Sequence, residues 1–294
     1  MSIPVAVFAS GGGTNFQSLL DHQSDDAPMR IVLLVSDRAG VGALERARKA
    51  GVVSRVIPVT GRALEEVGTE TLAALQELGV QVILLAGYLR LVPPEVVRAF
   101  RRRILNIHPA LLPSFGGKGM WGHRVHEAVL ASGATLSGPT IHFVDEEYDT
   151  GSIFAQWPVP VLPADTVDTL AARVLEIEHI LYPLAAEHLC RAVERGVEAR
   201  RPTLPGEGFL LAFPFSASEI RTQVQAAFRA VSAGEARAEA GETADPDTAS
   251  PADRASDPEP PWTDGPPSDL EPPPGRNSSS DIQRPIPHSP KGTP

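Results

Sequence analysis

The run Leu105-Asn106-Ile107-His108-Pro109 places an amide and an imidazole two residues apart within apolar surroundings. On a strand, alternate side chains share a face, so Asn106 and His108 point together while Ile107 points to the core. An amide donor beside an imidazole suits stabilisation of a developing oxyanion with delivery of a proton. The same pair would equally serve as a strand end whose polar groups satisfy loop carbonyls. The acidic run Asp145-Glu146-Glu147-Tyr148-Asp149-Thr150-Gly151 also has two readings. It is a solvated hairpin turn, or it supplies a carboxylate that raises the pKa of a nearby imidazole and keeps it protonated. A third cluster, Ser10-Gly11-Gly12-Gly13, sits where an apolar run gives way to a helical pattern. Glycines there let a ligand approach the backbone, and free N–H groups at a helix start favour an anion. Phe16 occupies the third glycine position of a dinucleotide fingerprint and no lysine follows, so neither that motif nor an ATPase phosphate loop is present. A phosphate ligand is favoured over a plain tight turn capped by Thr14 or Asn15. His123 and His126 lack a third ligand and a cysteine partner, so a metal site is not expected. His179 reads as a packing or surface residue, and Arg62 and Arg90 as candidate anion partners.

The elements that must carry these residues follow from periodicity. Short apolar runs at 5–9, 31–35, 52–59, 80–86 and 104–107 alternate with helical patterns at 14–20, 43–50, 64–78 and 95–100. That alternation predicts an α/β fold with a doubly wound, mostly parallel sheet. The run at 80–86 is apolar throughout, as a central strand covered on both faces should be. In the second half, 122–131 reads as a helix with Val125, Ala128 and Val129 on one face. Strands at 135–144 and 152–161 then form an antiparallel hairpin around the acidic turn. Leu170, Val174, Ile177, Leu181 and Leu184 give a long helix, expected to kink or break after Tyr182 because Pro183 follows. Ser216 and Glu219 match a capping box ahead of Ile220, Val224, Ala227, Phe228 and Val231, so an extra amphipathic helix is expected. The resulting division is an α/β domain at 1–209, a helical extension at 210–240 and a disordered tail at 241–294.

Composition limits the function classes. The 294 residues carry a net charge of −10, of which −7 falls in residues 234–294, and 14 of the 29 prolines lie beyond residue 240. No basic stretch offers a phosphate-backbone footprint, so nucleic acid is not an expected partner. A single cysteine, Cys190, rules out an internal disulfide and a cysteine-built metal centre. No apolar run is long enough to span a bilayer, and the opening residues lack the features of a secretory signal. A cytoplasmic protein without a membrane partner is the expectation.

Together these pieces resemble the folate-dependent formyltransferase family, in its branch acting on glycinamide ribonucleotide. The resemblance rests on Gly11-Gly12-Gly13-Thr14-Asn15, Leu85-Ala86-Gly87-Tyr88-Leu89-Arg90 and Asn106-Ile107-His108-Pro109-Ala110-Leu111-Leu112-Pro113. It also rests on Ile141-His142-Phe143-Val144, Asp149-Thr150-Gly151 and Glu178-His179, in that order over roughly 3–208. It implies transfer of the formyl group of 10-formyltetrahydrofolate to the glycine amine of phosphoribosylglycinamide, a step in purine assembly, with no metal. By the same resemblance, Gly13, Thr14 and Asn15 hold the nucleotide phosphate, and Glu178 binds the ribose hydroxyls beside Leu175, Glu176 and Ile177. Leu89, Arg90, Leu91 and Val92 meet the pterin, as do Asp145, Glu146, Glu147, Tyr148 and Asp149; Arg62 meets the folate's glutamate tail. Asn106, His108 and Asp149 form the catalytic trio, with Asp149 raising the His108 pKa. A monomer or homodimer is implied. The segment 115–122 is longer than in many family members. A transfer-RNA formylase, which needs a nucleic-acid-binding second domain, a formylfolate hydrolase and a silent nucleotide-binding protein are the rivals.

Overall fold

Val82–Leu85 is buried on both faces and forms β4, the strand around which the rest is arranged. The computed structural model describes residues 2–24 and 26–202 and, further along, Ser218, Arg221, Thr222, Val224, Gln225, Ala226, Phe228 and Arg229. Before β4 come β1 (Ile3–Phe8), α1 (Thr14–His22), β2 (Met29–Ser36), α2 (Gly42–Ala50), β3 (Val53–Val56) and α3 (Leu64–Glu77). After it come α4 (Pro94–Ala99), β5 (Ile104–His108), α5 (His123–Ser132), β6 (Leu136–Ser137), β7 (Thr140–Phe143), β8 (Ile153–Gln156), β9 (Val159–Pro160) and α6 (Val167–Arg195). The main sheet runs β3-β2-β1-β4-β5-β7-β8, parallel from β3 to β5 and antiparallel beyond. This is the expected doubly wound α/β arrangement. Alternation along β1 divides the core: Val5 and Val7 pack with α1, α2, α5 and α6, while Ala6 and Phe8 pack with α3 and α4.

The chain winds outward to β3 on one side of β1 and to β5 on the other, so the strand order reverses between β1 and β4. The loops leaving the carboxyl ends of these two strands diverge, which opens a crevice at that switch point. Tyr182 of α6 is fully buried, and its hydroxyl reaches the carbonyl oxygens of Leu85 and Leu105 at 2.9 and 3.0 Å. This pins α6 to β4 and β5, the strands that carry the residues beside the crevice.

The expected break in the long helix is corrected, the expected antiparallel hairpin is present with its arms split, and the disfavoured cap at Thr14 or Asn15 is excluded. Pro183 does not break the long helix, because α6 is continuous over 29 residues and Pro183 lies in its buried face. The missing hydrogen bond costs about 3 kcal/mol, which burial of that face against the sheet outweighs. Each arm of the hairpin is split in two: β7 pairs with β8, and β6 pairs with β9 in a separate two-stranded sheet. Pro139 and Pro158 interrupt the arms, and at Gly138 (φ 135°) a Cβ would overlap the Trp157 carbonyl oxygen. Neither Thr14 nor Asn15 caps α1; the cap is Gly13 at φ 74°, and Asn15 turns its side chain to α6 instead. Of the expected extension, the described residues are helical, and Val224 and Phe228 join the main core at 1% and 8% exposure. The capping pair Ser216 and Glu219, and residues 241–294, lie outside the described residues.

Candidate active site

Asn106 and His108 leave β5 on the same side, as the strand period requires, and face a cleft of about 730 Å³. Antiparallel register sets Asn106 opposite His142 of β7, so a second imidazole enters the same cluster. The Asn106 amide donates to His142 Nε2 at 3.0 Å and to Asp149 Oδ1 at 3.5 Å. His142 Nδ1–H donates to the Phe143 carbonyl, which leaves Nε2 to accept from Asn106. Asp149 Oδ2 lies 3.6 Å from His108 Nδ1 and accepts a hydrogen bond from the Gly117 N–H at 2.9 Å. His108 Nε2–H donates to the Phe115 carbonyl at 2.9 Å. The two residues bracketing His108, Phe115 and Asp149, have φ of 58° and 59°, a region that non-glycine residues rarely occupy. Such backbone strain gathers at functional sites. The expected trio is therefore one contiguous group, joined by His142.

The electrostatics correct one expectation. Burial is the largest influence on His108 and lowers its pKa below 6.5; the Asp149 charge and the Phe115 carbonyl pull it up without restoring it, and His142 adds to the lowering. Asp149 thus acts with the expected sign, but the resting imidazole is neutral at pH 7. Burial would raise the Asp149 carboxyl, yet its two imidazole neighbours, His142 and His108, and the Gly117 N–H hold it below its ordinary value. His126, also in the cleft, is pushed to about 4, chiefly by burial.

At the other end of the cleft, α6 presents Asp168, Ala171, Ala172, Leu175 and Glu178, one helical face. Glu178 is buried and accepts from the Asn15 amide at 2.7 Å; burial lifts its carboxyl to about 7 against that bond. Leu175 and Asn15 line the cleft, whereas Ile177 is in the core and Glu176 is exposed, because the helix turns them away. Gly13 and Thr14 stand at the start of α1 beside Asn15 and outside the cleft lining. A Cβ on Gly13 would come within 2.9 Å of Ala43, so the loop needs glycine to sit against α2. The opposite wall consists of Tyr88, Leu89, Arg90, Leu91 and Val92 after β4, with Val144, Asp145, Glu147, Tyr148 and Asp149. Glu146 faces a separate small depression beside Arg98 and Arg102.

Arg62 is not brought to the cleft. Its guanidinium binds Glu70 at 2.7 Å, reaches Glu66 at 4.0 Å and donates to the Pro58 carbonyl. These neighbours on α3 and its approach were silent in the motif comparison. His142 is the residue that reasoning on motifs left without a role, although its alternation with Ile141 and Phe143 on β7 signals a shared face with Asn106. Among the described residues no group of three or more potential metal ligands occurs, and no helix is long and apolar enough to cross a membrane.

The site thus combines a crevice at a switch point, a glycine-capped helix start and a buried Asn–His–Asp cluster. The family model described as "Formyl transferase" matches residues 3–186, and the chain belongs to that family. It is 50% identical over 189 residues to the chloroplastic phosphoribosylglycinamide formyltransferase of Arabidopsis thaliana, a match covering 63% of this chain and 65% of that protein. The chain thus spans just under two thirds of the length of that curated relative. Among solved structures, phosphoribosylglycinamide formyltransferase from Brucella melitensis is 42% identical with a TM-score of 0.59, covering 65% of this chain and 96% of that one. Glycinamide ribonucleotide transformylase 1 from Symbiobacterium toebii is 39% identical with a TM-score of 0.60, covering 65% and 89%.

Proposed function

We propose that the chain transfers the formyl group of 10-formyltetrahydrofolate to the glycine amine of phosphoribosylglycinamide, by direct acyl transfer and without a metal. The observation that carries this reading is the contact of Asn106, His108, His142 and Asp149 at the waist of the cleft, between two walls of different character. One wall, with the α1 start and Glu178, suits a phosphorylated sugar: backbone N–H groups of Gly13, Thr14 and Asn15 for the phosphate, and a buried carboxylate for ribose hydroxyls. The other, with Tyr88, Leu91, Val92 and Val144 beside Arg90 and Asp145, suits a flat heterocycle with polar edges.

Held between these walls, amine and formyl carbon gain the large advantage of fixed proximity. The Asn106 amide, giving up its long 3.5 Å contact to Asp149, donates to the developing oxyanion, and loss of one such donor costs about 3 kcal/mol. The neutral His108, its Nε2–H held by the Phe115 carbonyl, takes the proton of the attacking amine at Nδ1 and returns it to the departing nitrogen. The imidazolium formed on the way faces the Asp149 carboxylate and adds its own charge to oxyanion stabilisation. The catalytic unit is residues 1–209 with part of the 210–240 extension packed on it. The resemblance further implies a cytoplasmic enzyme, as monomer or homodimer.

The test is a paired assay of the purified chain with 10-formyltetrahydrofolate, with and without phosphoribosylglycinamide. The reading expects tetrahydrofolate and formylated ribonucleotide in equal amounts, strictly dependent on the acceptor. Free formate at the same rate without acceptor would instead identify a hydrolase.

A further inference from the structure

The glycine loop and the 87–92 loop leave neighbouring strands, the first leading to Asn15 and the second lining the opposite side of the cleft. A set of polar contacts joins them. Ser10, just beyond β1, donates its N–H to the Gly87 carbonyl at 3.0 Å. The Leu89 N–H donates to the Ser10 hydroxyl oxygen at 3.0 Å, and that hydroxyl lies near enough to Asp37, just beyond β2, to help hold its carboxyl below the ordinary value. Asp37 then accepts from Nε of Arg90, the chain neighbour of Leu89, at 2.9 Å.

Asp37 is the unusual member. Its side chain is 1% exposed, and it holds two guanidinium groups, those of Arg38 at 2.8 Å and of Arg90, each partly exposed. Burial alone would raise its carboxyl, but bonds from Arg38, Ser10 and Arg90 overcome that and keep it ionised. A buried charge of this kind is costly when any partner is lost, so it enforces one arrangement of all of them. Arg90 uses Nε on Asp37, which fixes the plane of its guanidinium beside the cleft.

We propose that Asp37, acting through Ser10 and Arg90, is a positioning residue for the formyl-donor wall: it locks the 87–92 loop against the glycine loop so that the two substrates meet in register. This rests on the functional reading above. The consequence is selective. Loss of Asp37 loosens the donor wall, while Asn106, His108, Asp149 and Glu178 keep contacts that do not involve it.

The experiment measures equilibrium binding of a non-reactive 10-formyltetrahydrofolate analogue and of phosphoribosylglycinamide to wild type, Asp37→Asn, Asp37→Ala and Ser10→Ala, with the KM of each substrate. Asp37→Asn keeps acceptor capacity without charge, and Ser10→Ala cuts the relay while leaving the buried charge with its arginines. The expected result is about a tenfold weaker donor Kd and KM in Asp37→Ala, a smaller loss in the other two, and ribonucleotide Kd and kcat within about threefold. Unchanged donor affinity in Asp37→Ala and Ser10→Ala overturns the proposal, as does an equal loss for both substrates, which would mark a purely structural role. Wild type that binds no folate analogue overturns the functional reading, and this proposal with it.

Discussion

His108 shows how burial and a counter-charge compete at one side chain. The carboxylate of Asp149 lies close enough to support an imidazolium, yet enclosure of the ring dominates, so the resting form is neutral. Titration of the His108 ring proton by NMR is expected to give a midpoint below 6.5, moving lower still in Asp149→Asn, which removes the contribution that raises it. A midpoint above 7 in the wild type would contradict the assignment of His108 as the initial proton acceptor. Glu178 is the complementary case, a carboxyl lifted by burial to about 7. Its anionic form accepts from ribose hydroxyls more strongly than its neutral form. Ribonucleotide affinity should therefore fall as pH drops through 7, and calorimetric titration of Glu178→Gln should show a flatter profile between pH 6 and 8. An identical pH dependence in the two proteins would remove Glu178 from the ribose site. At this scale the sequence was partly legible. Asn106 and His108 could be placed on one face from their spacing alone, but the balance of burial against charge at His108 depends on what encloses the ring. Arg62 stands outside the cleft lining, engaged by Glu66 and Glu70, neighbours that a residue type carried from a motif does not reveal.

Among the elements, α6 and the 87–92 loop line most of the cleft, and the glycine loop sets the start of α1 beside it. Gly13 takes a left-handed backbone and lies so close to α2 that a methyl group would strike Ala43. Gly13→Ala combines about 1–2 kcal/mol of backbone strain with that overlap, and shifts the start of α1. The expected outcome is a lower urea midpoint together with a ribonucleotide KM raised about tenfold, read from unfolding curves and steady-state kinetics. Ordinary ribonucleotide KM in a folded Gly13→Ala protein would remove the loop from the phosphate site. Most elements were readable because a buried parallel strand and an amphipathic helix have distinct periods. The split hairpin arms were not, since the close crossing of Gly138 and Trp157 arises only when both arms are folded. Pro183 misled in the opposite direction: a local rule against proline yields where a whole helix face is buried.

For the molecule as a whole, the extension matters more to stability than its composition suggests. Val224 and Phe228 are buried in the same core as α6, and Phe228 rests edge-on against His188. Burial of two such side chains contributes about 3–6 kcal/mol, so ending the chain after Pro202 should lower the urea unfolding midpoint markedly. An unshifted midpoint would show that the packing contributes nothing to stability.

The central claim is that the Asn106–His108–Asp149 cluster performs acyl transfer between two bound substrates. Single-turnover formyl transfer by Asp149→Asn, measured beside its ribonucleotide Kd, tests it most directly. The account predicts a rate reduced by about a hundredfold or more with the Kd within about threefold of wild type. A rate within twofold of wild type would contradict it.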